Sequence, residues 1–258
     1  MLLSFTKYQG TGNDFIMIDN RTHLINELSN EMIAKLCQRR FGIGADGLIL
    51  ISQSETHSFK MQYQNSDGSR SFCGNGARCA IDFAHRLGMF NIKATFEAID
   101  GIHSGEVLED RIALQMSDLH SWKKEGADYI IHTGSPHYIR FTADLEQEDI
   151  TTFGKDIRYS KPFKEEGINV NLAQRKSDHL SMLTYERGVE AETYSCGTGA
   201  TAVALADVLI TEDSGAFSRS LKVKGGNLTV RGTFDQNIFS NIYLIGPAVK
   251  VFDGTIEL

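Results

Sequence analysis

Cysteine is scarce: Cys37, Cys73, Cys79 and Cys196 are the four thiols in 258 residues. So few exclude a disulfide scaffold and suit a reducing compartment, and any thiol chemistry must be local. Basic charge is also short, with 26 Lys and Arg against 33 Asp and Glu, a formal net charge of −7 and a pI near 5.6. That balance argues against electrostatic capture of nucleic acid or an anionic membrane surface; a small polar ligand fits better. Long apolar runs are missing too. The opening MLLSFTKYQG has neither a basic leader nor an apolar core of signal-peptide length, and no later run approaches a membrane span. These absences predict a cytoplasmic protein. Tryptophan occurs once, at Trp122.

What the chain has in quantity is strand pattern. LLSFTKY, FIMID, GLILIS, FKMQYQN, KATFEAI, RIALQM, YIIHTG, HYIRFT, GINVNLA, LSMLTYERG, SLKVKGG, NLTVRG and SNIYLIG are rich in β-branched and aromatic residues and bounded by Gly, Asn and Asp. Helices are few. SNEMIAKLCQRRFG (29–42) reads as one, capped by Ser29 or Asn30, with Arg39 and Arg40 against the negative end of its dipole and Gly42 as its stop. Ile33, Leu36, Cys37 and Phe41 would share one face of it, which makes Cys37 core packing. GARCAIDFAHRLG (76–88) and GATAVALADVLI (199–210) are apolar or small nearly all round, which predicts burial on every side, with strands wrapped about them.

Each of these two helices is preceded by Cys-Gly-x-Gly, CGNG at 73–76 and CGTG at 196–199. Upstream, TGND at 11–14 and TGSP at 133–136 form a second pair: 61 residues separate Gly12 from Cys73, and 62 separate Gly134 from Cys196. The halves read as duplicated domains. The boundary falls in the polar stretch SDLHSWKKEGA (117–127), which is either a mobile linker or a packed connection.

Several motifs mislead. GIGADG (42–47) has the spacing of a dinucleotide fingerprint, but a helix precedes it and a strand follows, the reverse of what places a pyrophosphate on a helix N-terminus. A nucleophile elbow needs Gly two residues before the nucleophile, where Ser71 and Tyr194 stand. No Cys-x₂₋₄-Cys pair exists, so no zinc knuckle and no metal site is expected.

A helix N-terminus offers unpaired N–H groups and partial positive charge, and a Gly-rich approach lets an anion come close to the backbone. The same field favours thiolate over thiol, which matters because an unperturbed thiol is only about 3% ionised at pH 7. If the two domains face each other about a pseudo-two-fold axis, Cys73 and Cys196 flank one bound molecule. That arrangement suits removal of a proton from one face of a carbon and its return to the other, one sulfur as thiolate and its partner as thiol, titrating as a pair. Without an iminium cofactor, aimed N–H dipoles in a dry site must carry the carbanion or enolate. The competing reading is that Cys-Gly-x-Gly is merely a tight helix start with a buried Cys; its duplication weighs against that. Cys79, inside the helix, reads as core.

At this point the residues resemble the diaminopimelate epimerase family. GTGNDF (10–15), RRFGIGADGL (39–48), NSDGS (65–69), CGNGARC (73–79), GSPH (134–137), NVN (169–171), YERG (185–188), CGTGA (196–200) and GPAVKVFDG (246–254) fall in that family's order and approximate spacing, nearly end to end. The resemblance implies that Cys73 and Cys196 are the acid/base pair on opposite faces of the reacting α-carbon, with His137 and Glu186 as auxiliary catalytic groups. By the same resemblance, backbone N–H groups of Gly74, Asn75, Gly197 and Thr198 hold the reacting carboxylate, and Asn13, Asn65, Asn169, Glu186 and Arg187 recognise the remaining ammonium and carboxylate groups. The types are apt: acceptors suit an ammonium and a guanidinium fork suits a carboxylate. Without the resemblance, Glu186 and Arg187 would read as a solvated charge pair and His137 as a satisfied structural histidine. Two positions depart from the pattern. Gly47 stands where many members carry Gln and Ser135 where many carry Asn, both read as contacts to the distal end of the substrate; Ser135 offers a hydroxyl of shorter reach.

The expectation is therefore an α+β protein of two pseudo-symmetric domains, each a mostly antiparallel, barrel-like curled sheet around a central buried helix, with the active site in the interdomain cleft. Residues 1–117, with 249–258 returning, would form the first half and 118–248 the second. The activity implied is cofactor-independent interconversion of LL- and meso-diaminopimelate in lysine and peptidoglycan precursor synthesis, by a homodimer with Phe252 near its contact. The related proline and hydroxyproline racemases share the two-cysteine logic but need no distal amino-acid clamp, and GTGNDF with NSDGS fits them poorly. A non-catalytic amino-acid-binding protein on the same scaffold is the rival from another class.

Overall fold

The computed structural model describes residues 2–23, 25 and 28–257. In chain order it runs β1 (Leu2–Gly10), β2 (Asn13–Asp19), α1 (Asn30–Cys37), β3 (Gly47–Ser52), β4 (Phe59–Asn65), α2 (Gly74–Arg86), β5 (Lys93–Ala98), β6 (Gly101–Val107) and β7 (Ile112–Gln115). There follow β8 (Lys123–Glu125), β9 (Asp128–His132), β10 (Pro136–Phe141), a 3-10 turn (Leu145–Gln147), α3 (Ile150–Arg158), β11 (Asn169–Arg175), β12 (Leu180–Glu186) and β13 (Ala191–Glu192). The chain closes with α4 (Gly197–Thr211), β14 (Gly215–Val223), β15 (Gly226–Asp235), β16 (Ile238–Gly246) and β17 (Val249–Glu257). Two compact units result, Met1–Leu114 with Gly246–Leu258, and Gln115–Ile245.

In the first unit the strands pair in the order β17, β1, β2, β3, β4, β5, β6, β7, antiparallel except for β2 with β3 and β4 with β5. Each parallel pair is joined through a helix, α1 or α2, as a parallel connection requires. The sheet curls without closing, and α2 lies inside the curl, touching β1, β2, β3, β4 and β6. All six residues of β3, GLILIS, are buried because both faces are covered. Leu48 and Leu50 meet Ile33, Leu36 and Cys37 of α1. Their neighbours Ile49 and Ile51 point to the other face, that of α2, by the two-residue alternation of a strand.

The second unit repeats the plan. Its strands pair in the order β8, β9, β10, β11, β12, β14, β15, β16, again antiparallel except for two helix-linked pairs, β10 with β11 and β12 with β14. Here α4 is the enclosed helix, against β9, β10, β11, β12, β14 and β15. Ala200 and every residue from Ala202 to Ala206 are completely buried, and each Val or Leu so enclosed contributes roughly 1.5–3 kcal/mol. The one charge within the helix, Asp207, is buried but held by Arg175 Nε at 2.7 Å and Arg219 Nε at 2.6 Å, as a buried carboxylate requires. The duplication read from Cys-Gly-x-Gly is thus matched strand for strand within each unit.

The segment 117–127 is packed rather than loose. Trp122 lies edge-on to Phe234 and Phe239, with ring centroids 5.9 and 5.6 Å away, and Leu119 exchanges two 2.9 Å backbone hydrogen bonds with Phe239.

Two local expectations fail. Helix α1 ends at Cys37, with Gln38 already extended, so Phe41 is 80% exposed instead of sharing the core face. Arg39 does not serve the helix dipole; its guanidinium is drawn off to Asp14 and Asp46 at 2.6 and 2.8 Å, a bidentate attraction that outweighs a dipole end. Helix α3 and strand β6 were not legible as elements in the sequence.

Candidate functional site

Cys73 is the N-cap of α2, extended at φ −132°, ψ 115°, and its Sγ accepts the Gly76 N–H at 3.5 Å. The sulfur also lies 3.4 Å from Asn13 Oδ1. Which end of the Asn13 amide faces it is fixed by chemistry, because Asn13 Nδ2 donates to the carboxylate of Asp46 at 2.7 Å and a carboxylate only accepts. The oxygen is therefore turned to the sulfur, and the Cys73 S–H is the donor. Asn75 Nδ2 adds a second bond to the same oxygen at 3.3 Å.

Asp46 and Asp14 anchor this corner. Arg39 bridges both, and the buried Lys7 ammonium lies 2.8 Å from Asp14 Oδ2. Burial pushes the Asp14 carboxyl up, but Arg39 and Lys7 overcome it and hold it at about 2. Asn65, at the end of β4, is tied to the segment leading into Cys73: its Nδ2 reaches Ser69 O, Ser69 Oγ and Ser71 Oγ at 3.1, 3.0 and 3.1 Å, and its Oδ1 accepts from Tyr63 Oη at 2.9 Å.

Cys196 holds the same N-cap position on α4, extended at φ −120°, ψ 111° and 7% exposed, but its sulfur makes no capping hydrogen bond to the helix backbone. Its Sγ lies 3.4 Å from Thr198 Oγ1. Behind Thr198 stands His137, wholly buried, with Nε2 at 2.9 Å from Thr198 Oγ1 and 3.0 Å from Ser135 Oγ. Burial above all, then the proximity of His132 and Arg187, holds the imidazole down at about 3, so it is neutral. Asn169 Nδ2 donates to Ser135 Oγ at 3.1 Å and to Pro136 O at 3.2 Å, while its Oδ1 accepts the Arg187 N–H at 2.9 Å. Ser135 thus belongs to the polar network behind Cys196. Arg187 is exposed, its Nη1 on Glu166 O at 2.9 Å, and Glu186 is half-buried at the end of β12.

Within the first unit the fold therefore gathers Asn13, Cys73, Gly74 and Asn75, with Asn65 linked through Ser71. Within the second it gathers His137, Asn169, Cys196, Gly197, Thr198 and the backbone of Arg187. By helix geometry the N–H groups of Gly74, Asn75, Gly197 and Thr198 have no acceptor inside their helices. The other two thiols are different: burial pushes Cys37 up to about 11 and Cys79 higher still, so both are inert. Among the described residues no three His, Cys, Asp or Glu side chains are grouped as a metal site would require, and no helix is long and apolar enough to cross a membrane.

One residue that sequence reasoning passed over is Asn171, whose Nδ2 meets His137 Nδ1 at 3.1 Å. The signal was present in NVN, since residues 169 and 171 share a face of a strand.

Known proteins match this chain over nearly its whole length. The sequence profile described as diaminopimelate epimerase matches residues 5–117 and 129–251. The chain belongs to the diaminopimelate epimerase family. A diaminopimelate epimerase of Flavobacterium psychrophilum is 47% identical over 253 residues, covering 97% of this chain and 98% of that one. Its counterpart in Chlorobaculum tepidum is 44% identical, covering 96% and 99%. The fold is shared more widely. A phenazine biosynthesis protein of the PhzF family from Bacillus anthracis superposes with a TM-score of 0.75 at 14% identity, over 100% of both chains. A hydroxyproline epimerase from Agrobacterium vitis does so with a TM-score of 0.68 at 12% identity, over 100% of this chain and 93% of that one.

Proposed function

We propose that this protein interconverts LL- and meso-diaminopimelate by moving protons at the α-carbon between two sulfurs, Cys73 and Cys196. The reading is supported by membership of the diaminopimelate epimerase family, whose named relatives span almost the whole chain. The observation that carries the mechanism is that two halves of identical strand order each place one cysteine as the N-cap of an enclosed helix.

In this reading one sulfur begins as thiolate and takes the α-proton; the C–H bond breaks and an S–H bond forms. The electron pair left on carbon spreads into the adjacent carboxylate, whose oxygens face the N–H groups of Gly74, Asn75, Gly197 and Thr198. Donors already aimed at the developing charge need no reorganisation, which is where most of the rate is gained. The opposite thiol then gives its proton to the other face, and the configuration inverts. Asn13, Asn65, Asn169, Glu186 and Arg187 recognise the remaining amino-acid groups, and His137 and Glu186 assist proton handling. No cofactor takes part. The place of such a reaction is in lysine and peptidoglycan precursor synthesis. A homodimer belongs to the same reading: β17 pairs only with β1 among the described residues and exposes Val249, Val251 and Phe252.

The test is incubation with LL-diaminopimelate in deuterium oxide under reducing conditions. The expected result is deuterium at the inverted α-carbon, lost in Cys73→Ala and in Cys196→Ala. Binding without exchange in the wild type would make the protein a binder, and inversion of L-proline or L-hydroxyproline in its place would overturn the substrate.

A further inference from the structure

The two halves differ in the layer beneath the Cys-Gly-x-Gly turn. In the first unit, β2 and β3 pair with Phe15 opposite Gly47, and β3 and β4 with Ile49 opposite Tyr63. In the second, β10 and β11 pair with His137 opposite Asn169, and β11 and β12 with Asn171 opposite Thr184. The identical strand order makes Phe15, Ile49 and Tyr63 the counterparts of His137, Asn171 and Thr184. The helix glycines agree: a Cβ on Gly76 would meet Ile49 and Phe15, and one on Gly199 would meet Asn171 and His137. The first half therefore seats its turn on an apolar layer. The polar layer in the second is not something the fold demands.

Its hydrogen bonds run in one direction. Asn171 Nδ2 lies 3.2 Å from Tyr138 O, a carbonyl that can only accept, so this end of the amide is the NH₂. Asn171 Oδ1 accepts from Thr184 Oγ1 at 2.9 Å, which agrees. The second Nδ2 proton meets His137 Nδ1 at 3.1 Å, and that ring nitrogen must therefore be bare. A neutral imidazole then carries its proton on Nε2, pointing at Thr198 and Ser135. Ser135 Oγ meets donors at Asn169 Nδ2 and His137 Nε2, so the acceptor among these partners for its own proton is Thr198 Oγ1 at 3.0 Å. With donors arriving from His137 and Ser135, the Thr198 hydroxyl has one proton to give and Cys196 Sγ to receive it.

We propose that Asn171, buttressed by Thr184, is a positioning residue that fixes His137 as the neutral Nε2–H tautomer and so aims the Thr198 hydroxyl proton at Cys196 Sγ. The sulfur environments of the halves are then opposite in sense: Cys73 faces an amide oxygen and Cys196 a hydroxyl donor. This rests on the reading of Cys196 as an acid/base. The titratable and charged neighbours of His137 are His132 and Arg187, both of which oppose its protonation, and Glu186 stands next to Arg187 at the end of β12.

The test is ¹⁵N–¹H correlation of the imidazoles in ¹⁵N-labelled protein between about pH 5 and 8, where an ordinary histidine titrates. The expected wild-type spectrum shows His137 as Nε2–H throughout. Asn171→Asp, nearly isosteric, sets a carboxylate against Nδ1 and should draw a proton there, giving Nδ1–H or imidazolium. With it kcat should fall roughly ten- to a hundredfold, the range over which partners that orient a functional imidazole count, with KM little changed. Thr184→Val should move both readouts the same way by less. His137 found as Nδ1–H in the wild type, or titrating near its ordinary value, would overturn the proposal, as would Asn171→Asp that keeps the wild-type tautomer and kcat. The spectrum needs no turnover, so an Nε2–H signal from a protein inert toward diaminopimelate would uphold the tautomer and fail the function.

Discussion

The ring of Tyr63 stands where a side chain at Gly47 would begin: a Cβ there would lie 2.4 Å from Tyr63 Cε2 and 2.9 Å from its hydroxyl. The same hydroxyl donates to Asn65 Oδ1, and the ring lies edge-on to Phe15 with centroids 5.9 Å apart. A glycine at 47 is thus the partner of a tyrosine at 63 that holds the Asn65 amide. Gly47→Ala should destabilise by about 1–3 kcal/mol through overpacking. Trimming Tyr63 to Ala in the same chain should relieve only part of this, because Gln64 O is also 2.6 Å from the new Cβ. Tyr63→Phe keeps the ring and removes one hydrogen bond, about 1 kcal/mol. On the reading that Asn65 binds substrate, it should raise KM several-fold with kcat nearly unchanged. Urea denaturation and steady-state kinetics on the three variants check these outcomes.

Asp14 links the same corner to acid stability. Its carboxyl is held at about 2 by Arg39 and Lys7 against the cost of burial, below an unfolded value of about 3.9. A depressed carboxyl stabilises the fold above the unfolded value and loses that contribution as pH falls through the folded one, here between about pH 4 and pH 2. The contribution at neutral pH is about 2 kcal/mol, and about half has gone by pH 3. Asp14→Asn should cost at least that much at pH 7, since Lys7 is left buried without its carboxylate. The difference from wild type should narrow at pH 3. A difference that stays constant between those pH values, by urea denaturation, would show that Asp14 does not titrate as its partners require.

The thiols should separate into two classes. Iodoacetamide at about pH 8 in the native state should label Cys73 and Cys196 and spare Cys37 and Cys79, whose thiols burial holds up near and above 11. Peptide mapping by mass spectrometry reads the four sites separately. If both candidate sulfurs serve one substrate, mild oxidation without ligand should join Cys73 to Cys196 and abolish activity until reductant restores it. Labelling of Cys79 at the rate of Cys73 would mean that the sheet does not enclose α2 at that residue.

The duplication was legible because each enclosed helix opens on Cys-Gly-x-Gly, which leaves a visible mark at 73 and again at 196. The buried helices were legible for a similar reason, since a helix wrapped on all sides has no polar face to show. Helix α3 was hidden by its own Gly154, which reads as a break; a Cβ there would lie 2.3 Å from Tyr185 Cβ, so close packing required the glycine. Phe41 was misread because helical periodicity continues past Cys37 in the sequence, whereas the backbone turns extended at Gln38. The spacing in NVN puts Asn171 on the same strand face as Asn169 but does not name its partner. Its partnership with His137 exists only because β10 and β11 pair in parallel with 137 opposite 169 and 139 opposite 171, a register fixed by tertiary packing.

The asymmetry between the halves gives a sharper experiment at equivalent glycines. A Cβ on Gly199 would come 2.7 Å from Asn171 Oδ1 and 3.2 Å from His137 Cε1, whereas on Gly76 the nearest atoms are Ile49 Cδ1 at 3.0 Å and the Phe15 ring at 3.4 Å. An isoleucine tip can rotate away by a few tenths of an ångström. An amide held at both ends by hydrogen bonds cannot move without breaking one of them. Gly→Ala also gains up to about 1 kcal/mol of helix propensity, so Gly76→Ala should be close to neutral in thermal and urea denaturation. Gly199→Ala should cost about 1–3 kcal/mol net, from a displaced or unsatisfied buried polar group. It should also perturb the His137 imidazole signals, with activity falling further than stability alone explains. Equal effects at the two glycines would mean that the polar layer under Cys196 yields as readily as the apolar one under Cys73, and that its hydrogen bonds do not hold His137 in place.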